Sequence, residues 1–202
     1  VKNPSEPSRD RVLTMDHPES PALNDGHVTS LAVDGSNRLW VGFFDSGLDI
    51  LDLSSNSIRH WRDDILFCIN SIFIDGQENR TLVSTANGLA IFSTPETYHC
   101  IRREGGLIHN SVSCARTFGS DTGTIYVATA GGLTLLEGNR SRSLFAFHGL
   151  PSNQLYAMAS TGNGLYLGTL AGLSLLNFKE GPRNFSRSDS PLRHNWINAL
   201  WY

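Results

Sequence analysis

The stretch HVTSLAVDGSNRLWVGFFDSGLDILDL, residues 27–53, holds the pattern that decides the fold. It combines an apolar strand, a turn with Asp and Gly, a second strand with a large residue, a Gly-Leu pair and a third strand. Gly-Leu pairs return at Gly47-Leu48, Gly88-Leu89, Gly132-Leu133 and Gly172-Leu173, at intervals of 41, 44 and 40 residues. A repeat of this period indicates a solenoid or a propeller.

The first strand of each repeat is easily aligned. It reads VTSLAVD from Val28, INSIFID from Ile69, VSCARTF from Val112 and LYAMAS from Leu155, and a fifth copy, INALWY, starts at Ile197. The third residue is small in every copy: Ser30, Ser71, Cys114, Ala157 and Ala199. Strands that converge on a common axis need small side chains at such positions, because little volume is left between neighbouring backbones.

Each repeat contains four short strands, and the fourth is the more polar one. We predict the fourth strands at residues 58–61, 98–102, 144–147 and 184–187. The turns between strands are rich in Gly, Asn, Asp and Ser, and no long segment has helical periodicity. The sequence therefore predicts an all-β protein, a β-propeller of four-stranded antiparallel blades.

The repeats divide the chain into four complete blades with partial blades on either side. Residues 1–26 are predicted to form the outer strand of a preceding blade, at 9–16, and a lead-in. Blades 1 to 4 occupy residues 27–66, 67–109, 110–152 and 153–192, and residues 193–202 form the inner strand of a further, truncated blade.

Four blades are fewer than a seven-bladed ring requires, since such a ring needs about 290 to 300 residues at this period. We therefore expect an open arc that belongs to a larger propeller and aggregates when expressed alone. The alternative is a compact five-bladed ring whose last blade combines both termini. That ring would leave strand edges unpaired, which sheets avoid.

The repeat at residues 27–53 resembles the two-component regulator propeller repeat, with its V-x-S-[LI] strand, Asp and Gly turn, L-W-[IV]-G-T strand and Gly-Leu pair. GLPSNQLYAMASTGNGLYLGTLAGLSLL from Gly149 is similar to it as well, including its lead-in. Two repeats depart from the pattern, with Leu82 and Ser84, and with Tyr126 and Ala128, in place of the Trp and the Gly. The resemblance spans residues 27–202.

This resemblance implies a sensor β-propeller, usually of seven blades, in the extracytoplasmic part of bacterial histidine kinases, hybrid regulators or diguanylate cyclases. It implies a periplasmic location and a kinase or cyclase domain outside this chain. A homodimer would then form through the full-length receptor, and only segments outside this chain would contact the membrane.

Composition excludes several function classes. The net charge of -3 and the absence of a basic stripe argue against nucleic acid as a partner. No apolar stretch approaches the roughly 20 residues of a membrane span. The seven histidines and three cysteines show no HxH, HExxH or CxxC spacing, and no GxSxG motif occurs. We therefore predict no metal, no cofactor and no catalytic residue in this region.

Propeller geometry indicates where a ligand would bind. Loops from the fourth strand to the next first strand, and from the second to the third, gather on one face, and loops on a rigid scaffold carry function. The candidate ligand-binding residues on these loops are Phe43, Phe44, Asp45, Arg62, Asn87, Arg103, His109, His148 and His194.

Two groups among these loop residues have competing interpretations. Phe43 and Phe44 are consecutive aromatics that would stack on a sugar ring or dock a partner, unless one packs under the neighbouring blade. His109 and His194 are expected at the mouth of the central channel. The asparagines that follow them, Asn110 and Asn195, are expected to cap turns, as is Asn153.

Three function classes follow from the sequence. The first is a non-catalytic propeller that senses a small polar ligand such as an oligosaccharide. The second is a propeller enzyme, a lyase or hydrolase, that uses the same loops. The third is a scaffold that binds proteins only.

Overall fold

The computed structural model describes residues 22–118, 123–161, 164–177 and 179–201. Within these residues, sixteen strands form four antiparallel four-stranded sheets. The strand predicted at 9–16 lies outside the described residues. The prediction of an all-β protein with four four-stranded blades is confirmed.

The strands follow one another in chain order from the inner to the outer edge of each blade. Blade 1 contains β1 (Val28–Val33), β2 (Arg38–Phe43), β3 (Leu48–Asp52) and β4 (Ile58–Trp61). Blade 2 contains β5 (Ile69–Asp75), β6 (Arg80–Thr85), β7 (Gly88–Thr94) and β8 (Thr97–Ile101). Blade 3 contains β9 (Val112–Arg116), β10 (Thr124–Thr129), β11 (Gly132–Glu137) and β12 (Arg140–Leu144). Blade 4 contains β13 (Leu155–Thr161), β14 (Gly164–Thr169), β15 (Gly172–Asn177) and β16 (Gly181–Phe185).

The glycine of the Gly-Leu pair begins or immediately precedes each third strand, and its backbone explains why it is glycine. Gly88 has a φ of 137°, a left-handed conformation that strains any residue with a Cβ. A Cβ on Gly88 would also lie only 2.8 Å from the carbonyl oxygen of Ile101 on the outer strand. The absence of a side chain at Gly88 therefore makes room for the carbonyl group at the end of the outer strand.

Small residues also face each other across the two inner strands. The third residue of each first strand pairs with a small residue of the second strand: Ser30 with Gly42, Ser71 with Ser84, Cys114 with Ala128, and Ala157 with Gly168. A β-bulge interrupts each inner strand just before this pair. Bulges increase local twist, which suits strands that converge on an axis.

Three apolar clusters hold successive blades together. In the first, Trp40 and Ile50 of blade 1 pack with Ile69, Ile72 and further residues of blade 2. Each inner strand thus covers the face of the preceding blade. Burying an aliphatic side chain in such a cluster contributes about 1.5 to 3 kcal/mol.

The inner strand of blade 1 has no such cover among the described residues. Leu31 and Val33 are 60% and 56% exposed, whereas Ile72, the counterpart of Leu31 in blade 2, is 6% exposed. We call this exposed surface of β1 the leading face. The described residues therefore form an open arc on this side.

Three strand predictions are wrong, and one of them is the outer strand of blade 4, which spans Gly181–Phe185 rather than 184–187. The outer strand of blade 3 spans Arg140–Leu144 rather than 144–147, and Ala146–His148 forms a 3-10 helix. The reason is a tight turn at Gly138, which has a φ of 58° and lets Arg140 pair directly with Glu137. The prediction assigned the strand to the residues that follow, which include Phe145 and Phe147.

The fifth inner strand is not formed either, since residues 186–201 contain no strand. An inner strand is held by hydrogen bonds from the second strand of its blade, and no described residue supplies that partner. Ile197 nevertheless takes the place of an inner-strand residue. A Cβ on Gly168 would lie 2.9 Å from Ile197 Cγ2, much as Ile69 lies over Gly42.

Candidate functional site

Both loop sets meet on one face of the arc, as predicted. In blade 1 the N–H of Phe44, in the loop after β2, donates to the carbonyl oxygen of His27 just before β1. The same contact joins Ala86 to Cys68, Ala130 to Ser111 and Leu170 to Gln154. We call this side of the arc the loop face.

Exposed apolar side chains are concentrated on the loop face. Those on its loops are Phe44, Phe67, Phe147, Leu170 and Trp196, and Phe147 is 89% exposed. On the opposite face, Leu53 in the loop after β3 is an exposed hydrophobic residue. Exposed aromatic rings mark a surface suited to binding.

A pocket of about 640 Å³ opens on the loop face between blades 1 and 2. It is formed by the loop after β2, the loop between β4 and β5, and the loop after β6. Its lining includes Asp45, Ser46, Arg62, Asp63, Phe67 and Asn87. This inter-blade pocket brings together three of the predicted residues, Asp45, Arg62 and Asn87.

Hydrogen bonds fix the wall of the pocket that the β4–β5 loop supplies. The Arg62 guanidinium donates through Nη2 to Asn24 Oδ1 at 2.6 Å. The Asp63 carboxylate accepts from the hydroxyl of Tyr98 at 2.6 Å and from the N–H groups of Ile65 and Leu66 at 3.0 Å. These contacts hold the wall in one arrangement, and a preformed wall lowers the entropic cost that any binding at it would carry.

The other two walls are held in a similar way. The side chain of Asn87 donates through Nδ2 to the backbone carbonyl oxygen of Asp64 at 2.7 Å. The backbone carbonyl oxygen of Asn87 accepts from Arg102 Nε at 2.8 Å. The Ser46 hydroxyl donates to Asp25 at 2.6 Å. Asp25 belongs to the lead-in before β1, so this segment also supports the pocket.

Two ionisable groups around the pocket have shifted pKa values. Burial, together with the hydrogen bond to Asp63, raises the pKa of Tyr98, so its hydroxyl stays protonated and remains a donor at neutral pH. The hydroxyl of Ser46 and the backbone N–H of His27 hold the pKa of Asp25 well below its usual range. The Asp25 carboxylate is therefore ionised at neutral pH and accepts these hydrogen bonds.

The two consecutive phenylalanines have different environments. Phe43 is fully buried, in line with the interpretation that one of the pair packs against a neighbouring blade, whereas Phe44 is exposed. Contact of either ring with a ligand stays a prediction. The counterparts of Phe43 are Thr85, Thr129 and Thr169, whose hydroxyls each donate to a glycine carbonyl oxygen at 2.8 to 3.0 Å and close the loop. Phenylalanine cannot make this contact, and the loop of blade 1 is one residue longer.

The other predicted residues lie outside the inter-blade pocket. His109 and His194 accept, through Nδ1, from the N–H groups of Ser111 and Trp196 at 3.0 and 2.9 Å. His148 accepts from the N–H of Phe145, and Arg103 begins a 3-10 helix. These residues are exposed on the loops of later blades, and their contact with a ligand stays a prediction.

The predicted role of the asparagines as turn caps is confirmed. Asn110, Asn153 and Asn195 accept from the backbone N–H of Arg103, Ala146 and Arg187, at 2.7 to 2.8 Å. Each contact spans seven or eight residues and closes the loop between two blades.

The sequence did not single out several residues of the site. Phe67 and Phe147 were missed, although both are aromatics in loops that lead to an inner strand. Asn24 and Asp25 carried no local signal, because their partners Arg62 and Ser46 lie 38 and 21 residues away.

Neither a metal centre nor a membrane span is found in the described ranges. No group of three or more His, Cys, Asp or Glu side chains is arranged there to hold a metal ion. No helix in the part of the chain that the structure describes has the length and apolar character needed to cross a bilayer.

No protein-family model and no curated protein matches the chain, but solved structures do. The β-propeller domain of Myceliophteria thermophila Cps50 (Swd1) aligns over 87% of this chain and 58% of its own, with a TM-score of 0.62 and 15% identity. The fold is a β-propeller. Enzymes are also among the structures that match, so the propeller fold alone does not separate binding from catalysis.

Two of the matching structures are extracellular domains from B. thetaiotaomicron. BT4673, assigned to a one-component or hybrid two-component system, aligns over 92% of this chain and 26% of its own, with a TM-score of 0.72 and 22% identity. BT3049, assigned to a hybrid two-component system, aligns over 78% and 22%, with a TM-score of 0.67 and 22% identity. The chain spans about a quarter of the length of these domains. They belong to the class of receptor that the repeat resemblance implies.

Proposed function

We propose that this chain is a non-catalytic, ligand-sensing part of a propeller in the extracytoplasmic region of a bacterial signal-transduction receptor. The repeat resemblance and the likeness to extracellular domains assigned to two-component systems support this proposal. The ligand is a small polar molecule such as an oligosaccharide, and it binds at the inter-blade pocket.

The observation that carries the ligand proposal is the composition of the pocket. It combines an exposed ring, Phe67, with the planar polar groups of Arg62, Asp45 and Asn87. An aromatic face stacks on the C–H groups of a sugar, while guanidinium, carboxylate and amide groups hydrogen-bond its hydroxyls. A volume of about 640 Å³ suits a ligand of that size.

A thermal-shift screen of the purified chain with neutral, acidic and amino oligosaccharides tests this function. We expect at least one of them to raise the melting temperature, because a ligand that binds only the folded state stabilises it. Isothermal titration of that oligosaccharide should then show a loss of affinity of about tenfold for Phe67→Ala.

Leu53→Ala is the matched control, because Leu53 is an exposed hydrophobic residue on the opposite face, at 37% against 45% for Phe67. It should leave the affinity unchanged. An equal loss for both variants, or no thermal shift with any oligosaccharide, would contradict the proposed ligand class and favour a scaffold that binds proteins.

The receptor assignment has a separate test in the gene. A membrane span followed by a kinase or cyclase domain in the same reading frame supports it. A reading frame that encodes propeller repeats alone would contradict it.

A further inference from the structure

A buried carboxylate is connected through Asn24 to Arg62, a lining residue of the inter-blade pocket. Asp49 of β3 is fully buried and accepts three hydrogen bonds of 2.7 Å, from the N–H of Asn24, from Asn24 Nδ2 and from His60 Nδ1. A buried charge is costly unless it is paired and hydrogen-bonded. Asp49 lies in a site built to hold it.

The same position in other blades shows which part of this arrangement is general. Thr134 of blade 3 accepts from the N–H of Ile108, four residues before β9, as Asp49 accepts from the N–H of Asn24, four residues before β1. A threonine hydroxyl therefore suffices to tie a lead-in to its blade. Blade 2 has Ala90 at this position and dispenses with the contact.

The carboxylate of Asp49 does something that the threonine does not. A carboxylate only accepts hydrogen bonds, so it turns the amide of Asn24 until Nδ2 faces Asp49. The carbonyl oxygen of Asn24 then faces outward and accepts from Arg62 Nη2 at 2.6 Å. Asn24 thus joins a group that only accepts, Asp49, to a group that only donates, Arg62.

We propose that Asp49 and Asn24 are positioning residues that hold the guanidinium of Arg62 at the inter-blade pocket. Asn24 bridges the two charged groups, so Arg62 does not form a direct ion pair with Asp49. The guanidinium charge is then not neutralised by Asp49 and is available to a ligand in the pocket. The ligand contact of Arg62 rests on the proposed function, but the positioning does not.

The decisive variant is Asn24→Ala, because it keeps the backbone N–H that binds Asp49 and removes only the bridge to Arg62. The readout is the ¹⁵N order parameter of the Arg62 Nε–Hε group in the full chain without ligand. We expect an order parameter close to that of rigid backbone, about 0.85, in the native chain and one in the flexible range, below about 0.6, in the variant. Asp49→Ala should give the same loss, and Ala90 shows that a blade accommodates alanine there.

Thr134→Ala is the matched control, since it removes the corresponding lead-in contact in blade 3 without touching Arg62. Its Arg62 order parameter should equal that of the native chain. An order parameter that stays high in Asn24→Ala, or that falls equally in Thr134→Ala, would overturn the proposal.

The outcome for positioning is separate from the outcome for ligand recognition. If Asn24→Ala mobilises Arg62 while no oligosaccharide shifts the melting temperature, the positioning holds and the proposed ligand class fails. If the oligosaccharide that gives the largest thermal shift binds Asn24→Ala about tenfold more weakly and Thr134→Ala normally, both hold.

Discussion

Ile69 of blade 2 lies directly over Gly42 of blade 1, and a Cβ on Gly42 would be only 2.5 Å from Ile69 Cγ2. A side chain of the inner strand of one blade therefore packs against the second strand of the preceding blade at a residue that has no side chain. Ile197 over Gly168 repeats the relationship at the other end of the arc. Blades stack at these points because one side supplies a branched side chain and the other supplies none.

Gly42→Ala should destabilise the chain by about 1 to 3 kcal/mol, because the new methyl group would displace Ile69 from a close-packed interface. Chemical denaturation measures this change. Gly35→Ala is the control, since nothing lies within 4 Å of a Cβ at that position. Equal effects of the two substitutions would show that the loss comes from the backbone and not from the contact between blades.

Ser174→Ala should leave the melting temperature unchanged or raise it. The Ser174 hydroxyl is buried without a hydrogen-bond partner among the described residues. At the place where Asn24 and Ile108 donate an N–H, four residues before the inner strand, blade 4 has Pro151, which has no N–H. Removing an unsatisfied buried hydroxyl relieves a desolvation penalty.

Thr134→Ala provides the comparison, because Thr134 occupies the same position and accepts from Ile108. Its loss should lower stability by about 1 kcal/mol. If Ser174→Ala were as destabilising as Thr134→Ala, the hydroxyl of Ser174 would have a partner in solution.

Asp34 should make stability depend on pH in the acid range. Burial alone would raise the pKa of Asp34, but hydrogen bonds from Trp40 Nε1 and Arg38 outweigh it and keep the pKa below its usual value. The ionised form is therefore favoured in the folded state. Its contribution is present above the ordinary pKa of about 3.9 and is lost as the pH falls through the lowered folded-state value.

Urea denaturation of the native chain and of Asp34→Asn over this range measures the effect. The difference in stability between them should be constant near neutral pH and should shrink in acid. Trp40→Phe removes one of the donors that lower the folded-state pKa of Asp34. The loss of stability in acid should therefore occur at higher pH in this variant. A difference that does not vary with pH would contradict the role of the Asp34 carboxylate.

Leu31→Ala and Ile72→Ala should have very different effects, although the two residues occupy equivalent positions in blades 1 and 2. Ile72 is buried between blades, and its truncation should cost about 2 to 5 kcal/mol. Leu31 on the leading face is exposed, and its truncation should change stability by less than about 0.5 kcal/mol.

The leading face should also govern self-association. We expect the native chain to aggregate at raised concentration, and Leu31→Lys with Val33→Lys to reduce this, because exposed apolar sheet surface promotes association. Light scattering after size exclusion measures it. A monodisperse native monomer with a cooperative melt would contradict the open arc and favour a closed ring.

The repeat made the blades predictable, while single residues within the loops were harder to place. Gly88 and its counterparts marked the third strands because backbone geometry demands glycine there. The outer strand of blade 3 was misplaced because residues 140–144, RSRSL, have almost no apolar alternation, whereas the adjacent Phe145 and Phe147 do look like strand residues.

The site was predictable only in part, for a related reason. Loop topology placed Asp45, Arg62 and Asn87 on one face, and the structure brings them into one pocket. The sequence could not tell buried Phe43 from exposed Phe44, because the strand ends between them. Asn24 reaches Arg62 across 38 residues, and no local pattern encodes such a contact.

On the loop face, the loops that follow the second and fourth strands of blades 2 to 4 are each closed by a side chain of the loop or of the strand beside it. Thr85, Thr129 and Thr169 close the loops after the second strands, and Asn110, Asn153 and Asn195 close those between blades. A loop of this kind carries its own shape with it. Whole loops can therefore be exchanged between blades or between related proteins, and recognition can diversify by such transfers while the packing of the blades stays as it is.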